Sequence, residues 1–223
     1  MSTAAAAPAD DGRRSIPKKK RTGLWAAIIL TVLALVLVVA GTKVVPDGEE
    51  AAAGSEEFDR ETFGAEHFPA IQEQITERAV EAPALAEAIE TDPEAAAAEH
   101  GVEVAGSTVY STTFTGTVEE GDSGIYEVDV EGMPEDVSVR IQTGPAINGT
   151  ELRDATGTLD FGQFTNQIEF QDAGAALNEE MKEQVLDPID IDSLEGSTVT
   201  VTGAFTAINP QGWLVTPVSL EVR

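Results

Sequence analysis

A single apolar run near the start of the chain most constrains how this protein can fold. Residues 24–40 are apolar except for Thr31, and six lysines and arginines lie between residues 13 and 21. A bilayer core about 30 Å thick needs about 20 apolar helical residues, so this run, extended through Gly41 and Thr42, has the length of one span. Cations before the run and acids after it predict a cytoplasmic N-terminus. We therefore predict a single-pass protein of the cell membrane, with a basic tail at 1–23, a transmembrane helix at 24–42 and an extracytoplasmic remainder.

A cleaved secretory signal is the alternative for the same segment. Val38-Val39-Ala40 offers the small residues that a signal peptidase prefers. Signal cores are about 7–15 residues long, whereas this run is longer and follows a polar tail of 23 residues, which favours a retained anchor. Both interpretations place the bulk of the chain outside the cytoplasm.

Charge and cysteine content exclude several classes of function. From Val44 onward, 38 acidic residues face only six cations, which are Arg60, Arg78, Arg140, Arg153, Lys182 and Arg223. Such a surface repels phosphate backbones, so we expect no binding of nucleic acid. The chain has no cysteine. This excludes disulfides, thiolate metal sites and a cysteine nucleophile, and it removes the usual acceptor of a lipid anchor.

The first exported segments differ in pattern. Residues 43–57 are rich in acids, Gly, Ala and Ser without periodicity, which indicates an acidic linker. Residues 58–104 carry apolar side chains at spacings of three and four and predict a small helical subdomain. Within it, Thr91-Asp92-Pro93-Glu94 has the pattern of a capping box with proline in the first turn, and Gly101 is suited to end a helix.

In the remaining residues, 105–223, apolar and polar side chains alternate with a period of two. Alternation predicts strands at about 109–118, 126–130, 137–141, 198–202 and 218–222. Between the third and fourth strands, helical spacing relates Phe161, Phe164, Ile168, Leu177, Met181 and Val185. We expect the first five of these to pack over the sheet. This order is that of an OB-like five-stranded β-barrel with a helical insertion between strands 3 and 4. The predicted fold class is α+β, with an open sheet as the alternative.

The most informative motif follows the third predicted strand. Residues 144–155 read Gly-Pro-Ala-Ile-Asn-Gly-Thr-Glu-Leu-Arg-Asp-Ala, and residues 160–170 contain Phe-x-x-Phe-x-Asn-Gln-Ile. The joined motif resembles that of an uncharacterised bacterial family of predicted periplasmic lipoproteins, domain of unknown function 2291, whose Asn-rich helix is similar to residues 175–179. The resemblance runs from about Phe58 to Val222.

The resemblance implies a membrane-anchored extracytoplasmic accessory or binding module, of the kind expected beside sugar-type ABC importers. A transporter or its solute-binding protein is the implied partner. Two positions depart from the family pattern. Thr42 stands where members carry a lipidated cysteine before Lys-Val-Val, so we expect the membrane helix to replace the lipid anchor. Asn148 stands where arginine is frequent, and its neutral side chain weakens any site for an anionic ligand.

Five polar residues of the motif are the candidate ligand or partner contacts: Asn148, Arg153, Asp154, Asn166 and Gln167. Arg153 can offer a planar fork of donors to a carboxylate or polyol. The structural alternative is that Arg153 and Asp154 clamp the insertion onto the barrel while Asn166 and Gln167 cap backbone groups.

Sequence motifs give little support to catalysis. His67 and His100 are the only histidines, and no nucleophile elbow, phosphate-binding glycine loop or paired-histidine motif occurs. Asp187, Asp190, Asp192 and Glu195 cluster without the glycine of an EF-hand loop, so we predict no metal site and no cofactor. We predict a protein that is not an enzyme. The alternative is a carbohydrate-active hydrolase that uses carboxylates which sequence cannot single out.

Overall fold

The computed structural model describes residues 58–223. Residues Glu56–Arg223 form one compact unit. The predicted basic tail, transmembrane helix and linker lie outside the described residues. Between residues 58 and 223, no helix combines the length and the apolar character that a membrane crossing requires.

Five strands close into a barrel. β3 pairs with β4, β4 with β5, β5 with β7, β7 with β6, and β6 back with β3. Within this ring only the β5–β7 pair is parallel. The strands of the domain are β1 (Val80–Glu81), β2 (Gly101–Val104), β3 (Ser107–Asp122), β4 (Ile125–Val130), β5 (Ser138–Gln142), β6 (Thr198–Thr206) and β7 (Gly212–Val222). The ring confirms the predicted five-stranded OB-like barrel and excludes the open sheet.

Alternation fills the barrel interior. Inward side chains such as Phe114 on β3 and Val201 on β6 face each other in register and are buried. Trp213 stacks on Phe205 with ring centroids 4.3 Å apart, and its indole N–H donates to the carbonyl of Pro210 at 2.9 Å. The period-two pattern therefore supplies a buried apolar core, and the indole donor of Trp213 within it has a hydrogen-bond acceptor.

Helices cover the barrel at one side. α1 (Arg60–Arg78) buries Phe68, Ile71 and Ile75, and it packs against both the barrel and the longest helix of the insertion. The other helices are α2 (Ala82–Thr91), α3 (Pro93–His100), α4 (Glu151–Asp154) and α5 (Gln167–Met181), which continues as a π-helical turn at Lys182–Leu186.

One detail of the predicted capping differs. The N-cap of α3 is Asp92, not Thr91, because the Asp92 carboxylate accepts from the Ala95 N–H at 3.0 Å. Pro93 then occupies the first helical position, where its missing N–H costs nothing, and Gly101 ends the helix as predicted.

The insertion at residues 143–197 is only partly packed as predicted. Leu177 and Met181 are fully buried, but Phe161 and Ile168 are 53% and 71% exposed. Their predicted place in the core is wrong because α5 begins only at Gln167. Phe161 lies on a separate 3₁₀ turn, and Ile168 occupies the solvent side of the first turn of α5.

Candidate functional site

A loop that follows β5 is the centre of the candidate site. We call residues 144–150 the motif loop. The buried side chain of Gln142 fixes it, because its amide N–H donates to the carbonyl of Asn148 at 3.1 Å and its amide oxygen accepts from the Asn148 N–H at 3.2 Å. Asn178 on α5 donates to the carbonyl of Gly149 at 3.1 Å. The barrel and α5 therefore hold the loop from two sides.

The start of the motif loop approaches the β3–β4 turn very closely. Gly124 in that turn has a φ of +80°, and a Cβ there would lie 1.0 Å from the carbonyl oxygen of Gly144. Only glycine adopts a positive φ readily and also lacks the Cβ that would clash with Gly144. The turn and the loop are consequently in direct contact at one end of the barrel.

Arg153 and Asp154 form a buried pair behind the loop. Each is 6% exposed. Arg153 donates from Nε to Asp154 Oδ1 at 2.7 Å, from one terminal nitrogen to Oδ2 at 3.0 Å, and from the other to the carbonyl of Phe170 at 3.0 Å. Its guanidinium lies 3.7 Å from the centroid of the Phe170 ring. Thr150 also donates to Asp154 Oδ2, at 2.6 Å, which ties the pair to the end of the loop.

Asn166 and Gln167 occupy the start of α5. The Asn166 side-chain oxygen accepts from the N–H groups of Ile168 and Glu169 at 2.9 and 3.0 Å, so Asn166 is the N-cap. Glu169 accepts in return from the Thr165 N–H at 2.9 Å. Gln167 is the first helical residue and is exposed.

The five candidate residues do not line one cavity. Asn148 is exposed at the motif loop, the Arg153–Asp154 pair lies beneath it, and Asn166 and Gln167 lie at the N-terminus of α5.

A pocket of about 340 Å³ adjoins the motif loop. Its polar lining comes from Arg60, Asn178, Glu179 and Lys182, and residues 145–147 of the loop also line it. We call it the loop pocket. The sequence motifs do not point to Arg60, Asn178 or Lys182 as candidate site residues. The sequence signal that could have identified the loop pocket is the rarity of cations after Val44. Two of those six cations, Arg60 and Lys182, line the pocket.

Charge distinguishes the loop pocket from three other pockets among the described residues, which are lined by carboxylates and by no lysine or arginine. Residues 137–150, which contain the motif loop, include no acidic residue. Arg60 contacts Glu179 at 3.0 Å and Asp172 at 3.9 Å, while Lys182, at the C-terminus of α5, has no carboxylate of the described residues within 4.0 Å.

Near the motif loop, Glu151 is the residue whose pKa its surroundings shift most clearly. Burial raises the pKa of its carboxyl, and the nearby negative charge of Asp154 raises it further. Hydrogen bonds that favour the charged form lower the pKa but do not cancel the rise. Oε1 accepts from Thr206 at 3.1 Å, whereas Oε2 is buried without a protein partner. A carboxyl in this setting holds a proton more readily than an exposed glutamate.

The acidic turn at residues 187–195 shows no metal site. Across residues 58–223, no three His, Asp or Glu side chains are arranged to hold a metal ion.

Comparisons with known proteins concern family and fold. A family model described as a predicted periplasmic lipoprotein, domain of unknown function 2291, matches residues 32–221. An OB-fold protein from Thermotoga maritima, solved as a crystal structure, is similar with a TM-score of 0.60 at 21% identity, over 75% of this chain and 100% of that one. This likeness concerns the fold alone. None of the curated proteins compared with the chain matches it.

Proposed function

This chain belongs to the family of predicted periplasmic lipoproteins with domain of unknown function 2291, and from that premise we propose that it is a membrane-anchored extracytoplasmic binding module. The loop pocket is the observation that carries the proposal. It combines the family motif with two of the few cations of an acidic domain.

The anchor in this proposal is the apolar segment 24–42. Lipoproteins are held by an acyl group on cysteine, but this chain contains no cysteine. The apolar run and the six cations before it support a helical anchor in place of the lipid.

The ligand that we propose for the loop pocket is a small polyhydroxyl or carboxylated molecule, such as a sugar or sugar acid. OB-folds commonly bind oligonucleotides or oligosaccharides. The acidic domain disfavours the first class because nucleic-acid affinity depends on phosphate contacts with cations. Lys182, which has no carboxylate of the described residues within 4.0 Å, and the Arg60 guanidinium, which already pairs with Glu179, supply donors suited to hydroxyl and carboxylate oxygens. A transporter or solute-binding protein of a sugar-type ABC importer is the partner that we propose to test first.

Thermal unfolding of residues 56–223 with a panel of neutral sugars and sugar acids tests the proposal. A ligand at about 100 times its Kd stabilises the fold by about 2.7 kcal/mol. We expect Arg60→Gln and Lys182→Gln to reduce this shift. Arg78→Gln, at the far end of the same helix α1, is the matched control and should keep it. A shift that persists in the Arg60→Gln/Lys182→Gln double variant would place the ligand elsewhere.

The second candidate is a carbohydrate-active hydrolase, and one observation favours it. A glycosidase uses a pair of carboxyl groups, one of which holds a proton more readily than usual, and burial together with the nearby charge of Asp154 raises the pKa of the Glu151 carboxyl. Release of chromophore from aryl glycosides, with loss of turnover in Glu151→Gln, would support this candidate. Turnover that survives the substitution would remove Glu151 from it.

A further inference from the structure

An aromatic surface cluster contributes no side chain to the lining of the loop pocket, although Arg60 of that pocket lies between two of its phenylalanines in the sequence. Five of the eight phenylalanines gather here, with ring centroids of neighbouring pairs between 5.1 and 6.2 Å apart. We call these rings the aromatic patch, and we include the exposed Ile168, which lies two residues before Phe170 in the first turn of α5: Phe58, Phe63, Phe161, Phe164, Phe170 and Ile168. Phe161 and Ile168 are mainly exposed, and the other four are half-buried. Contiguous exposed apolar surface in a soluble domain marks an interaction site.

The position of the patch in the chain suggests what covers it. Phe58 is the first described residue, and it contacts Phe63 and Phe164 within the patch. Only residues 43–57 separate it from the apolar segment. Even a fully extended chain of that length spans at most about 50 Å. The domain is therefore attached at its aromatic patch, which a membrane anchor would keep at high local concentration near the bilayer.

Three carboxylates at the patch have local partners, whereas Glu61 in the first turn of α1 has no cation of the described residues within 4.0 Å. α1 and α5 both begin here, and the positive ends of their dipoles lie near the carboxylates of Asp59 and Glu169. Asp59 accepts from the Thr62 N–H at 2.9 Å, and Glu169 accepts from Thr165. Asp172 lies 3.9 Å from Arg60. These partners reduce the repulsion that free carboxylates would exert on lipid headgroups.

We infer that the aromatic patch docks the domain on the outer surface of the lipid bilayer, with Phe161 and Ile168 entering the boundary between headgroups and acyl chains. The inference rests on the proposed function, since it uses the anchor at 24–42 to bring the patch to the membrane. Apolar side chains at this depth stabilise peripheral contact in proportion to the apolar area that leaves water.

Fluorescence quenching by brominated lipid tests the inference on the full chain reconstituted in phosphatidylcholine vesicles. Phe161→Trp places a reporter in the patch. Val222→Trp is the matched control because it is also an exposed apolar position. Its neighbour Glu221 shares a pocket with Thr76 and Glu77 at the far end of α1, about 20 Å from Phe63 along the helix. Of the natural tryptophans, Trp213 is buried in the barrel, and Trp25 lies in the apolar segment and reports on the anchor.

We expect bromolipid to remove the emission that Phe161→Trp adds and to leave the emission that Val222→Trp adds. Adding Ile168→Asp to Phe161→Trp should restore the lost emission. Quenching of Trp25 without quenching at position 161 would overturn the docking while leaving the anchor intact. Quenching at position 161 without quenching of Trp25 would support the docking and overturn the anchor. Equal quenching at positions 161 and 222 would also overturn the inference, because it would show contact without a preferred face.

Discussion

Arg153 shows how one buried cation is compensated within this fold. Its donors reach both Asp154 oxygens and the carbonyl of Phe170, so the side chain links α4 to α5. Lysine would retain the charge but lose the planar fork. We expect Arg153→Lys to lower the free energy of unfolding in urea by about 2 kcal/mol, because buried acceptors lose their paired donors.

The exposed Arg78→Lys is the control for that measurement, with an expected change within about 0.5 kcal/mol. Ligand or partner capture by Arg153→Lys should recover on cooling if the pair acts as a clamp. Capture that stays weak while stability is unchanged would instead identify Arg153 as a recognition residue.

The raised pKa of Glu151 predicts that this residue's contribution to stability falls as pH rises, which is the opposite of the usual behaviour of a carboxylate. Because burial raises its pKa in the folded state, the folded protein binds more protons than the unfolded chain between the ordinary glutamate pKa and the raised value. Stability contributed by this group is therefore lost as pH rises through that window. Glu151→Gln should stabilise the domain more at about pH 8 than at about pH 4, relative to the parent.

The difference between Glu151→Gln and the parent, measured by thermal unfolding, separates this effect from the other carboxylates. Glu87→Gln, which removes an exposed carboxylate, is the control for the general effect of the substitution. A difference for Glu151→Gln that does not depend on pH would contradict the raised pKa of its carboxyl.

At the scale of one element, α5 depends on its N-cap. The Asn166 side chain satisfies two N–H groups that have no partner within the helix. Asn166→Ala should cost about 1 kcal/mol of stability in urea unfolding. Gln167→Ala, one residue later and exposed, should change stability by less than about 0.5 kcal/mol. Equal costs for the two substitutions would contradict the capping role.

Periodicity predicts the strands and most buried positions of the helices, but it fails at the aromatic patch. Strand alternation is reliable here because one face of each strand meets the barrel interior. Phe161, Phe164 and Ile168 also fall on helical spacing, yet a 3₁₀ turn and an N-cap interrupt the helix between them. Spacing alone cannot show such a break. It also cannot show that Gln142, an ordinary strand residue in sequence, holds the motif loop.

At the scale of the whole molecule, strand order predicted the barrel but not its pocket. The arrangement of three strands, an insertion and two strands is typical of an OB-fold, and the β3–β6 pairing closes the ring. The loop pocket joins Arg60 with Lys182 from distant parts of the sequence. Their proximity depends on how α1 packs against α5, which no local pattern in the sequence specifies.

The distribution of charge along the whole chain predicts its orientation. Six cations precede the apolar run, whereas 33 acids and six cations occupy residues 58–223. Because cations near a span are retained in the cytoplasm, protease added outside intact cells should degrade or release the chain beyond Thr42 and spare a tag at Ser2. Permeabilised cells, in which the tag is also lost, provide the control. A protected C-terminal domain in intact cells would reverse the orientation, and a mature chain that begins near Gly41 would identify the segment as a cleaved signal.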